Sequence, residues 1–141
     1  MSQSFDAVAR LAGAFRRRGL GAGTRIALIG ANSAWHFLCH AAASWLHAVT
    51  VPLSPRLPSS ALASMCVRVG VTWAFVDESA SLHARALADA GIRTFPWDDL
   101  RSWTRHGDPI AGEPARCGAE LAAILFTSGS TGMPRPVELT H

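Results

Sequence analysis

Residues 25–53 read RIALIGANSAWHFLCHAAASWLHAVTVPL. The first six, Arg25-Ile-Ala-Leu-Ile-Gly30, form a short apolar run closed by glycine, the pattern of a strand buried on both faces. Asn32 or Ser33 then offers a side-chain oxygen to cap a helix, predicted from Ala34 to about His47. Thr50-Val-Pro-Leu53 follows as a second short strand. Strand, helix and strand in succession predict a βαβ unit.

The same alternation extends in both directions. Upstream, Phe5, Val8, Ala12 and Phe15 recur at helical spacing between Ser4, a plausible N-cap, and Gly19, a stop. Arg16, Arg17 and Arg18 fall in the last turn, where cations suit the negative end of the helix dipole. Downstream, Pro52, Pro55 and Pro58 stiffen a loop, and Ser59 or Ser60 caps a third helix with Leu62, Met65, Cys66 and Val69 on one face. Val71–Val76 is a third strand. Ser79–Ala90 is a fourth helix, with Leu82, Ala86 and Ala90 inward and Gly91 as its stop, and Ile92–Phe95 is a fourth strand. From 96 to 118 prolines, glycines and aspartates dissolve the pattern, which predicts an irregular connection. Glu120–Phe126 reads as one more buried strand. The fold class is therefore α/β: a mainly parallel sheet with helices on both faces.

Composition agrees with one layered domain. The chain has 141 residues, 49% hydrophobic and 16% charged, which excludes a disordered polar chain. No apolar run reaches the ~18 residues of a membrane span. The start, Met1-Ser-Gln-Ser-Phe-Asp6, lacks the basic and apolar regions of a secretory signal. All 13 basic residues are Arg, and lysine and tyrosine are absent. The net charge of +3 is mild and no basic stripe interleaves with aromatics, so a nucleic-acid partner is not expected. Cys39, Cys66 and Cys117 are odd in number and lack C-x-x-C spacing. That argues against a disulfide framework or a cysteine zinc site, and favours a reducing, cytoplasmic setting.

Chemistry concentrates after the last strand, in Thr127-Ser-Gly-Ser-Thr-Gly132, which carries four hydroxyls and two glycines in six residues. Glycine lets successive N–H groups converge on an anion, and each hydroxyl adds a donor. Arg135, three residues on, supplies a fixed positive charge that grips phosphate oxygens with two N–H groups. A Walker A loop is excluded because no lysine exists and no helix follows; Val137 and Leu139 alternate like a strand instead. A dinucleotide fingerprint is excluded because nothing comparable follows the strand ending at Ile29.

The stretch Phe126-Thr-Ser-Gly-Ser-Thr-Gly-Met-Pro-Arg-Pro-Val137 resembles the phosphate-loop signature of the acyl-adenylate-forming, or AMP-binding, ligases. That family includes acyl-CoA synthetases, luciferases and peptide-synthetase adenylation domains. The family's usual form reads aromatic-T-S-G-[ST]-T-G-x-P-K-G-V, followed shortly by a His, matched by His141. Upstream, Gly21–Ser33 and Ala48–Pro58 are similar to the family's G-x-G-D-R-V-A-L…N-S and G-A-V-x-V-P-L-N-P-R-L-P stretches, in the right order. The resemblance implies a fragment: residues 1–141 as a partial AMP-binding domain, part of the N-terminal subdomain of a ligase several times longer. It implies that Thr127, Ser128, Gly129, Ser130, Thr131 and Gly132 hold the β- and γ-phosphates of ATP, with Arg135 where the family has its loop lysine. It further implies Mg²⁺, a carboxylic acid substrate, and a thiol acceptor such as coenzyme A or pantetheine. The remainder would belong to a longer protein or come as a separate chain. Besides Arg135, Pro136 and His47 stand where the family usually has glycine. The alternative is a non-catalytic remnant or partner-binding module, without ligase activity on its own.

Other candidates read as structural. His36, His40 and His47 share one side of a helix near Cys39, but the H-E-x-x-H motif is absent, so an exposed polar stripe is expected opposite Phe37, Leu38, Ala41, Trp45 and Ala48. Asp98 and Asp99 read as a solvated loop. Trp35, Trp45 and Trp73 read as core. Trp97 and Trp103 either cover a sheet edge or face surface that further chain would bury.

Overall fold

Short apolar strands sit at the centre of the molecule, and each of the first four is followed by a helix that lays one apolar face back on the sheet. The computed structural model describes residues 3–31, 33–111, 121–128 and 134–140. In chain order the elements are α1 (Gln3–Arg17), β1 (Arg25–Ile29), α2 (Ala34–Trp45), β2 (Val49–Leu53), α3 (Ser59–Arg68), β3 (Trp73–Val76), a 3₁₀ turn (Glu78–His83), α4 (Ala84–Asp89), β4 (Arg93–Pro96), α5 (Trp97–His106), β5 (Leu121–Ser128) and β6 (Pro134–Thr140). The sheet order is β4-β3-β1-β2-β5-β6. All neighbours are parallel except β5 and β6, which pair antiparallel. Among the described residues no helix is long and apolar enough to cross a membrane.

Period-two alternation divides the core. Ile26, Leu28, Trp73 and Phe75 face α1, α2 and α5, meeting Leu11, Phe15, Cys39, Ala42, Ala43, Trp97 and Leu100. Ala27, Ile29, Val51, Ala74 and Val76 face α3 and α4, meeting Leu62, Met65, Cys66 and Leu87. Both faces of the sheet are thus covered by helices, as the apolar strands predict.

Four helices end in one way. The N–H groups of Leu20, Ala48, Val71 and Ile92 each reach back five residues, to the carbonyls of Phe15, Ala43, Cys66 and Leu87. The residue before each has positive φ: Gly19 at 93°, His47 at 60°, Gly70 at 74° and Gly91 at 84°. This is the Schellman ending, which needs a left-handed residue and so favours glycine. His47 is the exception, as its place in the sequence predicts.

Several expectations need correction. The span 96–118 is not an irregular connection throughout, because α5 occupies Trp97–His106. Asp98 and Asp99 sit in its first turn and Arg105 and His106 in its last, as the dipole favours. Trp97 and Leu100 are buried and Trp103 packs on the core, so the two tryptophans belong to the α1 face of the sheet. Residues 112–118 lie outside the described residues. The fourth helix begins as a 3₁₀ turn at 3.0 residues per turn, which rotates its face. Leu82 is therefore 70% exposed, Ala90 is exposed and Leu87 is buried. Helix α1 starts at Gln3, so Ser4 lies inside it, and Pro58 precedes α3 without a side-chain cap. The histidine stripe does not face solvent. Cys39, Ala42 and Ala43 let α2 approach the sheet closely, which turns His36 and His40 inward and leaves Phe37 67% exposed.

Candidate functional site

The parallel strands all end on one edge of the sheet. Strand β5 joins β2 in parallel, through Thr50 and Ala123, so Thr127 and Ser128 reach the same edge as Gly30, Ser54, Asp77 and Trp97. From that edge β1 leads to α2 on one face of the sheet, while β2 and β3 lead to α3 and α4 on the other. Adjacent strands whose connections diverge in this way open crevices at their carboxyl ends. Two cavities occupy these points. One of about 730 Å³ is lined by Gly30, Ala31, His36 and residues 52–56. The other, about 660 Å³, lies between the ends of β1, β3 and β4, with Trp35, Trp97, Asp77 and Arg101 in its wall.

Their walls are braced by hydrogen bonds between the loops that follow the strands. Asp77 accepts the Ala31 N–H at 2.7 Å and the Ala80 N–H at 3.1 Å, joining the end of β1 to the 3₁₀ turn. His83 is 2% exposed and bonds to the Pro55 carbonyl through Nε2 at 2.8 Å and to the Ser59 hydroxyl through Nδ1 at 2.6 Å. A carbonyl only accepts, so Nε2 donates to Pro55, and in the neutral ring Nδ1 accepts from the Ser59 hydroxyl. This bridge holds the proline-rich loop after β2 in place. His40 Nδ1 meets the Thr50 hydroxyl at 2.7 Å. His36 Nδ1 is buried without a hydrogen-bond partner, and its ring lies 5.0 Å from that of Trp97. Burial lowers the His36 pKa, and the Asp77 carboxylate partly opposes this. Sequence reasoning missed Asp77 and His83. Asp77 carried a usable signal, an N-cap residue type directly after a buried strand; His83 carried none.

The hydroxyl-rich loop joins β5 to β6. Thr127 pairs with Arg135 and Ser128 with Pro134, so the two ends of the loop are brought together. Directly opposed residues share a face of the sheet, which places Thr127 and Arg135 side by side. Both are exposed, and the Thr127 hydroxyl donates a long bond of 3.5 Å to the Arg135 carbonyl. Arg135 has no ion-pair partner among the described residues. Phe126, on the opposite face, packs against the core beside Leu57 and anchors the strand below the loop. Gly129, Ser130, Thr131 and Gly132 lie outside the described residues, as do Cys117 and His141. Among the described residues no three His, Cys, Asp or Glu side chains converge. Strand β6 confirms that no helix follows the loop, in keeping with the exclusion of a Walker A site.

Comparison with known proteins gives a consistent picture. Residues 2–141 match the family described as AMP-binding enzyme. The chain is 29% identical over 135 residues to nonribosomal peptide synthetase 8 of Aspergillus fumigatus, covering 94% of this chain and 2% of that protein. It superimposes with a TM-score of 0.86 on the N-terminal domain of FACL13 from Mycobacterium tuberculosis, solved with an inhibitor bound, at 25% identity. That match covers 99% of this chain and 36% of the other. ATP-bound MatB from Rhodopseudomonas palustris superimposes with a TM-score of 0.83 at 26% identity, covering 98% of this chain and 29% of that one. The chain thus spans a minor part of each of these proteins.

Proposed function

The chain belongs to the AMP-binding enzyme family, and from that membership we propose that it is part of an ATP-dependent acid ligase, carrying the loop that holds the phosphates of ATP. In the reaction a carboxylate oxygen attacks the α-phosphorus, the bond to the β-phosphate oxygen breaks, and pyrophosphate leaves with the electron pair. The acyl-adenylate then passes its acyl group to a thiol, that of coenzyme A or pantetheine. The observation that carries this reading is the β5–β6 hairpin, which sets Thr127 beside Arg135 at the carboxyl edge of the sheet. An exposed guanidinium next to the Thr127 hydroxyl fits the charge that grows on departing pyrophosphate. Arg135 and the hydroxyls of 127–131 would hold the phosphates, with Mg²⁺ neutralising charge on the phosphate oxygens. Because the chain spans 29% of the ATP-bound relative, catalysis is assigned to a longer or complemented protein. The 141 residues alone are expected to bind phosphate without turning over.

Calorimetric titration with Mg-ATP and with pyrophosphate tests the site. Saturable binding is expected, weakened about tenfold or more by Arg135→Ala, since a charge-assisted bond contributes about 1.5–3 kcal/mol. Arg135→Lys keeps the charge and is expected to lose less. Binding that is absent, or unchanged in Arg135→Ala and Ser128→Ala/Thr131→Ala, refutes the phosphate reading. ATP–pyrophosphate exchange by the isolated chain would instead refute its dependence on further polypeptide.

A further inference from the structure

Charge is divided between the two edges of the parallel sheet. Helices α1, α2, α3 and α4 turn back in their left-handed endings shortly before β1, β2, β3 and β4, so helix ends and strand starts share one edge. The strand starts are level: Arg25 pairs with Val49, and Trp73 pairs with Ile26 and Arg93. Arginine gathers along this amino edge. Arg16 and Arg17 lie in the last turn of α1 with Arg18 just after it, Arg68 in the last turn of α3 and Arg105 in that of α5. Arg25 opens β1 and Arg93 opens β4. These are seven of the 13 arginines. Acids gather at the carboxyl edge, where Asp6 opens α1, Asp77 and Glu78 open the 3₁₀ turn, and Asp98 and Asp99 open α5. Among the described residues Asp89 and Asp108 lie toward the amino edge, and Asp108 meets Arg17 at 3.8 Å, which leaves that edge strongly positive.

Helix dipoles account for cations in the last turns of α1, α3 and α5. They do not account for Arg25 and Arg93, which begin strands. Arg16, Arg17, Arg18, Arg68, Arg93 and Arg105 are all exposed. The geometry also selects among polyanions. The Arg18 guanidinium lies 4.0 Å over the Trp103 ring and that of Arg93 lies 4.6 Å over Trp73. Arginine thus covers these rings, which leaves them unable to stack on unpaired bases. A level row of helix ends and strand starts offers no single element to enter a duplex groove. What it fits is a plane of phosphates. Val67, 59% exposed beside Arg68, adds an apolar tip for the headgroup region of such a plane.

We infer that the amino edge of the sheet docks on the surface of an anionic lipid bilayer. Each guanidinium grips headgroup phosphate or carboxylate oxygens with two N–H groups. A basic residue at an anionic membrane surface strengthens attachment by about fivefold, so the exposed arginines together give reversible, salt-sensitive binding. In that pose the carboxyl edge, with Thr127, Arg135 and both cavities, faces the solution. The inference rests on the placement of charge and is independent of the ligase reading.

Co-sedimentation of the 141-residue chain with vesicles tests it. One set is pure phosphatidylcholine, and the other contains about one third phosphatidylserine. Binding is expected to the mixed vesicles alone, and it should disappear between about 0.1 M and 0.5 M salt as the charges are screened. Arg16→Gln/Arg17→Gln/Arg105→Gln should weaken it at least tenfold. Arg56→Gln/Arg85→Gln/Arg101→Gln removes the same charge from exposed positions toward the carboxyl edge and should weaken it less than about threefold. All six side chains are exposed, so both variants should keep the wild-type circular dichroism. Arg16→Gln alone, expected to cost about fivefold, keeps the test readable if a triple variant unfolds. Four results overturn the inference: no binding to the mixed vesicles, equal binding to pure phosphatidylcholine, equal loss in the two triple variants, or displacement from the vesicles by duplex DNA at matched phosphate concentration, which would give the face to nucleic acid.

Discussion

At position 47 glycine should make the protein more stable than alanine does. Helix α2 ends with the His47 N–H on the Ser44 carbonyl at 3.1 Å and the Ala48 N–H on the Ala43 carbonyl at 2.9 Å. That pair of bonds holds His47 at φ 60°. A side chain there costs about 1–2 kcal/mol through the clash of Cβ with the following carbonyl. Glycine removes the clash but adds unfolded-chain entropy, a penalty of about 0.4–1 kcal/mol. The difference favours glycine by about 0.5–1 kcal/mol, or ~1–4 °C in melting temperature at this chain length. The His47 carbonyl, which accepts the Gly23 N–H at 2.9 Å, belongs to the backbone and is retained. Urea unfolding followed by tryptophan fluorescence measures the change. His47→Ala is the control, since it loses the imidazole and keeps the strain. The reverse change, Gly91→Ala, should destabilise by about 1 kcal/mol, because a Cβ at Gly91 meets nothing within 4 Å and the cost is all backbone. The reasoning fails if His47→Gly is no more stable than His47→Ala.

Other outcomes follow from buried groups. Gly13→Ala should destabilise by about 1–3 kcal/mol, although alanine is the better helix former, because the added Cβ would collide with the Asp108 carbonyl oxygen where the chain crosses α1; a melting temperature at or above wild type refutes this. His36 has a lowered pKa in the folded state, so below its ordinary value of about 6.5 the unfolded chain binds more protons and stability falls with pH. Urea curves at pH 7.5 and 5.5 should show a larger loss for wild type than for His36→Gln, and equal losses sink the assignment. Burial raises the Cys39 thiol pKa and pushes that of Cys66 up to about 12. Neither should react with a disulfide reagent at pH 8 until the chain unfolds, and mass spectrometry showing rapid native labelling of either would contradict their packing.

Much of the architecture is legible because it rests on local pattern. Arg25–Ile29, Val49–Leu53 and Trp73–Val76 are short apolar runs, and a strand buried on both faces has no other way to appear in sequence. Helix stops at Gly19 and Gly91 are legible because the left-handed ending nearly demands glycine. Helix α5 is less so. Its ten residues lie among prolines and glycines, and only packing of Trp97, Leu100 and Trp103 on the sheet makes the segment worth ordering. The inward face of α2 was misread for a related reason. Phe37 is the larger apolar residue, yet small Cys39, Ala42 and Ala43 allow closer approach, and contact area over the whole face outweighs one side chain.

The site divides along the same line. The hydroxyl and glycine content of 127–132, and Arg135 beyond it, are matters of composition and spacing, so sequence alone was enough to nominate a phosphate-binding loop and the family that carries it. Tertiary structure decided what one strand cannot know about another. The antiparallel register puts Thr127 opposite Arg135, and the parallel join of β5 to β2 brings the loop to the edge where β1 and β3 also end. Register depends on side chains far apart in the chain competing for the same buried area. That competition is settled only when the sheet assembles.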